Sequence, residues 1–135
     1  MTDQKNEKYF VTDDISEKVI LVGVSAGDGE DTKESLDELA ELARTAGAVV
    51  AGMMIQNREA PHPGTYLGKG KIDELSAMIA ALEATGVICD DELSPAQMAN
   101  LEDALGTKVM DRTLLILDIF AQRASTREGK IQVEL

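Results

Sequence analysis

The chain has 135 residues, a formal net charge of −12 and one cysteine, Cys89. This length suits a single domain with a real core, and a 44% hydrophobic content is typical of a globular protein. No run of 18 apolar residues is present, which excludes a transmembrane helix. The first residues lack a signal-peptide pattern, and a lone cysteine suits a reducing compartment, so we expect a cytoplasmic protein.

The acidic charge is concentrated towards the N-terminus. Residues 1–41 hold 12 acids and 4 bases, whereas residues 42–135 hold 13 acids and 9 bases. This balance argues against DNA as a partner, because nonspecific nucleic-acid binding needs a net positive surface. It leaves room for a local basic surface. Residues 1–16 are polar apart from Tyr9, Phe10 and Val11, and we interpret them as a flexible acidic tail.

From residue 17 onward, a short apolar run is followed four times by an amphipathic helix. The apolar runs are 19–24, 48–55, 87–89 and 108–110. Asp31 and Glu34 have capping-box spacing for the first helix, and Ser94 and Gln97 have it for the third. Glycines are placed to end the first three helices, at Gly47, Gly86 and Gly106.

This alternation predicts an α/β fold over residues 17–125. We expect three layers, with about four strands in a mainly parallel sheet and helices on both faces. Right-handed crossovers would place every strand-to-helix loop at the carboxyl edge of the sheet, where ligands of such folds bind.

Thr65–Lys71 is a basic, glycine-containing loop that departs from the acidic character of the chain. Glycine permits close approach of a partner, and lysine suits phosphate. We interpret Tyr66 as exposed and able to stack on a base, beside Lys69 and Lys71. Arg112, Arg123 and Arg127 could join these lysines in one phosphate-facing patch, unless they simply form a solvated helix flank.

Several kinds of catalytic site are excluded or disfavoured. The chain has no P-loop, no Gly-x-Gly-x-x-Gly after its first strand, and one histidine, His62. For Asp90, Asp91 and Glu92 a structural or capping role is favoured over a metal site. Two enzymatic alternatives stay open: a small nucleotide-binding or nucleotide-hydrolysing domain using Asp90, Asp91 and Lys69, and a serine-recombinase-like domain.

Several segments of the sequence resemble those of one protein family. Over 31–135, about 105 residues, the chain resembles the N-terminal domain of the HflX family of ribosome-associated GTPases. The matching segments are Glu34–Leu39, Thr65–Lys71, Asp90–Gln97, Asp111–Ala124 and Thr126–Leu135. The resemblance implies that residues 126–135 begin a helical linker, and that the chain stops before a separate domain that binds GTP and Mg²⁺.

The resemblance also implies the partners: the large ribosomal subunit with its rRNA, and the GTP-binding domain of the longer protein. It implies that the loop faces rRNA near the peptidyl-transferase region. In some members of the family an adenine-nucleotide activity is associated with this domain, but this sequence contains no phosphate-binding motif that would support it. The expected module is noncatalytic and needs no cofactor of its own. The candidate rRNA-binding residues are Tyr66, Leu67, Gly68, Lys69, Gly70, Lys71, Arg112, Arg123 and Arg127.

Overall fold

The computed structural model describes residues 17–134, with side chains described as far as residue 124. The expected flexible tail over residues 1–16 lies outside this part of the chain.

Strands and helices alternate along the described residues, as the sequence predicts. In chain order they are β1 (Lys18–Ser25), α1 (Glu30–Thr45), β2 (Val49–Asn57), α2 (Lys69–Leu82), β3 (Gly86–Cys89), α3 (Pro95–Leu105), β4 (Lys108–Asp111) and α4 (Arg112–Glu134). None of the described helices is long and apolar enough to cross a membrane.

The four strands form one sheet in the order β2-β1-β3-β4, and every neighbouring pair is parallel. The parallel arrangement confirms the predicted sheet. It also brings the carboxyl ends of all four strands to one edge, together with the loops that lead into the helices.

Helices cover both faces of the sheet, because alternate residues of each strand point to opposite sides. On one face Ile20 and Val22 of β1 pack with Leu75 of α2 and Leu101 of α3. On the other face a second core joins the strands to α1 and α4; its members are Val19, Leu21, Leu36, Leu39, Ala40, Ala43, Ile88, Leu115 and Ile119. The predicted three-layer α/β class is confirmed.

Three of the predicted helix ends are confirmed by the backbone. Ser94 caps α3 by accepting from the Gln97 amide at 3.1 Å, and the Gln97 side chain bonds back to the Ser94 amide. Gly106 ends the same helix with φ of 65°. Gly47 follows α1 with φ of 95°, the left-handed region that glycine tolerates best.

Two other predicted helix ends are wrong. Helix α1 begins after Gly29, and its first amide, that of Glu30, donates to Asp28 Oδ1 at 3.0 Å, so Asp31 is already inside the helix. Helix α2 ends at Leu82. Gly86 is the first residue of β3, where it is buried.

Candidate functional site

The loop between β2 and α2 closes on itself at the carboxyl edge of the sheet. The backbone of His62 exchanges two hydrogen bonds with that of Tyr66, at 3.0 and 2.8 Å. The Nδ1 atom of His62 accepts from the amides of Gly64 and Thr65 at 3.0 and 3.2 Å. The imidazole therefore organises the turn from inside, a role that its position between two prolines did not indicate.

Helix α3 holds this loop in place from the side. The Gln97 side-chain amide donates to the His62 carbonyl at 2.9 Å, and that of Asn100 donates to the Gly64 carbonyl at 2.9 Å. At the far end of the loop, the Gly68 amide donates to Gln56 Oε1 of β2 at 2.8 Å. The loop is thus fixed to elements on both of its sides.

Tyr66 lies in the core, so the prediction of an exposed, base-stacking tyrosine is wrong. Its side chain is 0% exposed and packs in the same core as Leu67 and Ile20. The hydroxyl donates to Asp91 Oδ2 at 2.7 Å. Burial, and then this hydrogen bond, raise the pKa of Tyr66 far above its usual range, so the hydroxyl remains a donor. Leu67 and Gly68 are buried as well.

The basic part of the loop comes immediately after these buried residues. We call Lys69–Lys71 the basic turn; it is the first turn of α2. Lys69 is exposed and has no ion-pair partner among the described residues, and Gly70 faces open space. Lys71 pairs with the exposed carboxylate of Glu74 at 3.0 Å. The backbone amides at the N-terminus of α2 add positive potential to that of the lysines. No acidic residue in this first turn offsets it.

Arg58 joins this region and was missed by sequence reasoning. Its guanidinium lies beside Gly68: a Cβ on that glycine would sit 2.8 Å from Arg58 Nη1. The Nε atom donates to the Ala60 carbonyl at 3.0 Å. Its position directly after β2, at the carboxyl edge of the sheet, was the signal that could have identified it.

Arg112 has internal partners rather than a free guanidinium. Its Nη2 atom donates to Asp90 Oδ1 at 2.7 Å and to both the carbonyl and Oγ of Ser35 at 3.0 Å. The Nε atom also donates to Asp90 Oδ1, at 3.2 Å. Arg112 therefore joins the start of α4 to α1 and to the end of β3.

Arg123 lies away from the basic turn, so the prediction of one patch built from all these bases is wrong. It is exposed and follows Gln122, which lines a cavity at the amino ends of the strands. Eleven residues of helix place it about 16 Å along the axis from Arg112. Helices α4 and α2 also cover opposite faces of the sheet. The side chain of Arg127 lies beyond the described side chains.

The acidic residues after β3 act as structural partners. Asp90 binds Arg112, and Asp91 binds Tyr66. No group of three or more His, Cys, Asp or Glu residues is placed to hold a metal ion within the described part of the chain. Cys89 is fully buried, and burial, reinforced by the charge of Asp111, raises the pKa of its thiol.

The cavity at the amino edge has a volume of about 390 Å³ and lies opposite the basic turn. An ion pair, Lys108–Glu17 at 2.7 Å, forms part of its wall. The rest of the lining includes Val19, Ala46, Ala48, Ile88, Met110, Leu115, Asp118 and Gln122.

The chain is similar to known proteins in sequence and in fold. A family model described as "GTP-binding GTPase N-terminal" matches residues 33–121. GTPase HflX of Lacrimispora saccharolytica is 70% identical over 122 residues, which cover 90% of this chain and 29% of the relative. GTPase HflX of Escherichia coli (strain K12) is 44% identical over 122 residues, covering 90% and 28%. A solved structure of a variant of SsGBP is 27% identical with a TM-score of 0.63, over 87% of this chain and 36% of that one.

The family match covers three of the four strands of this three-layer α/β domain. Together, the fold and the match identify the domain as an N-terminal domain of GTP-binding proteins. The chain belongs to the GTP-binding GTPase N-terminal family, the family of the N-terminal domain of HflX-type GTPases. It spans less than a third of the length of the HflX proteins of L. saccharolytica and E. coli.

Proposed function

We propose that this chain is the module with which a cytoplasmic HflX-type GTPase binds the large ribosomal subunit, and that the module is noncatalytic by itself. GTP and Mg²⁺ would be bound by the separate GTP-binding domain of the longer protein, which is its second partner. The observation that carries the proposal is the basic turn: an exposed lysine at a helix N-terminus, presented by a loop that is fixed on both sides.

Lys69, Gly70, Lys71 and Arg58 are the proposed rRNA contacts. Lysine and arginine side chains and helix N-termini are the groups that most often contact phosphate oxygens, and Gly70 leaves space for a close approach of the backbone. Lys71 would exchange its exposed partner Glu74 for phosphate at little cost, because exposed ion pairs contribute little.

The other candidate residues would support the site without touching RNA. Tyr66 and Leu67 anchor the loop in the core, and buried Gly68 leaves room for the guanidinium of Arg58. Arg112 holds α4 against α1. The strongly acidic body would restrict binding to partners that the basic turn can reach, because the remaining surface repels phosphate.

Co-sedimentation with purified large ribosomal subunits tests the proposal. The double variant Lys69→Ala/Lys71→Ala should bind about 100-fold or more weakly, because each of the two charge-assisted contacts contributes roughly 1.5–3 kcal/mol. The matched control is Lys33→Ala/Arg44→Ala, which removes the same charge from exposed positions on α1. Equal losses in both variants, or no loss in the first, would contradict the proposal. A thermal melt confirms that each variant is folded.

A further inference from the structure

The turn after β3 contacts both the basic loop and the start of α4. We call Asp90–Glu92 the acidic turn. On one side of it, Tyr66 donates its hydroxyl to Asp91 at 2.7 Å. On the other side, Arg112 donates to Asp90 at 2.7 Å. Two adjacent carboxylates therefore hold two segments that are 46 residues apart in the chain.

Asp111 provides a second connection between the same parts. Its side chain is 2% exposed, and its two oxygens accept different amides. Oδ2 accepts from Leu93, directly after the acidic turn, at 2.9 Å. Oδ1 accepts from Leu114, in the first turn of α4, at 2.9 Å. A shift of the residues that follow Asp90 therefore acts on α4 through Asp111.

Asp90 attaches the acidic turn to the sheet. Its amide donates to the Val22 carbonyl of β1 at 2.8 Å. Asp91 and Glu92 are exposed and extend beyond the strand end. Asp91 can thus follow a displacement of Tyr66 while Asp90 stays anchored beside Arg112, which is the geometry of a pivot.

We propose that the acidic turn couples the position of the basic loop to the first turn of α4, with Asp90 and Asp91 as the positioning residues. A partner that displaces the loop pulls on Asp91 through the Tyr66 hydroxyl, and the strain reaches the amide of Leu114 through Asp111. The inference rests on the proposed function in one respect only, the identity of the partner that displaces the loop in the cell. The coupling itself is a property of the free chain.

Native-state amide hydrogen exchange of this chain, followed by NMR, tests the coupling. Tyr66→Phe keeps the ring and removes the hydroxyl. We expect exchange at the Leu114 amide to rise by about fivefold to tenfold relative to the Val22 amide of β1, as one lost hydrogen bond would produce. Val22 lies in a central buried strand and reports global unfolding, so a rise at Leu114 beyond that at Val22 marks a local opening of α4.

Asn100→Ala is the matched control. It releases the same loop from α3 without touching the acidic turn, since Asn100 bonds the Gly64 carbonyl. The Leu114-to-Val22 ratio should stay at its wild-type value in this variant. Coupling is reciprocal, so Arg112→Lys, which replaces the guanidinium fork that holds Asp90, should in turn raise exchange at the Tyr66 amide.

An unchanged Leu114-to-Val22 ratio in Tyr66→Phe would overturn the inference, as would an equal rise in Asn100→Ala. These outcomes are independent of ribosome binding. A chain that shows the coupling but does not sediment with large subunits would contradict the proposed function alone.

Discussion

At the scale of single residues, Tyr66 sets the direction of the basic turn. The ring is buried while the backbone adopts φ of 68°, a left-handed conformation that is uncommon for any residue except glycine. This conformation lets Leu67 enter the core as well and releases Lys69 at the surface three residues later. The lysines are therefore positioned by apolar burial rather than by other charges.

We predict that Tyr66→Ala destabilises the chain strongly. Removal of a fully buried aromatic ring should lower the free energy of unfolding by about 3–5 kcal/mol. Tyr66→Phe loses one hydrogen bond to an exposed carboxylate and should cost about 1 kcal/mol. Urea denaturation measures both. A cost below about 1 kcal/mol for Tyr66→Ala would show that the ring is not part of the core.

A second prediction concerns alkaline pH. The pKa values of Cys89 and Tyr66 are both raised by burial, so the unfolded chain releases these protons at lower pH than the folded one. The free energy of unfolding should therefore fall as pH rises above about 8.5 for the thiol and about 10 for the phenol, by up to about 1.4 kcal/mol per unit and group.

Urea denaturation at pH 8, pH 10 and about pH 11 checks this dependence, and two variants assign it. Cys89→Ala should flatten the profile between about pH 8 and pH 10, whereas Tyr66→Phe should flatten it only above about pH 10. A profile that Cys89→Ala leaves unchanged would contradict the assignment to the buried thiol.

At the scale of helices and strands, the sequence predicts the features that depend on residues close together in the chain. The alternation of apolar runs and amphipathic helices identifies all four strands, and Ser94–Gln97 identifies the start of α3 because both partners lie within four residues. The cap of α4 is equally local, since the Leu114 amide lies three residues after Asp111, but the second bond of Asp111 could not be predicted in this way. Asp111 also accepts from the Leu93 amide, 18 residues earlier, and that contact exists only once the sheet has formed.

This difference leads to a prediction about two helix caps. Asp111→Ala leaves the buried amide of Leu93 and the part-buried amide of Leu114 without their acceptor, and should cost about 2–4 kcal/mol. Ser94→Ala removes an exposed cap and should cost only about 1 kcal/mol. Equal costs in urea denaturation would contradict the role of Asp111 in joining α4 to the acidic turn.

At the scale of the whole molecule, the fold class could be predicted but the layout of its charges could not. Parallel strands require their carboxyl ends to share one edge, so the placement of the loop followed from the pattern. Whether a basic side chain is available to bind a partner depends on its tertiary contacts. Arg112 and Lys69 look alike in the sequence, yet one is bonded to Asp90 and Ser35 and the other is exposed.

We expect this chain not to bind GTP with submicromolar affinity. Its sequence contains no phosphate-cradling P-loop with the hydroxyl that binds Mg²⁺. Isothermal titration calorimetry with GTP and Mg²⁺ measures this directly. Saturable submicromolar binding would reveal a nucleotide site in this domain and contradict the proposal of a noncatalytic binding module.

The salt dependence of binding to large ribosomal subunits is the most direct test of the central claim, that the basic turn contacts rRNA phosphates. The affinity of the wild-type chain should fall linearly with salt on logarithmic axes. Lys69→Ala/Lys71→Ala should reduce the slope by about 0.7–0.9 for each lost phosphate contact, whereas Lys33→Ala/Arg44→Ala should leave it unchanged. A slope that is the same for the wild type and the Lys69→Ala/Lys71→Ala variant would remove the basic turn from the interface.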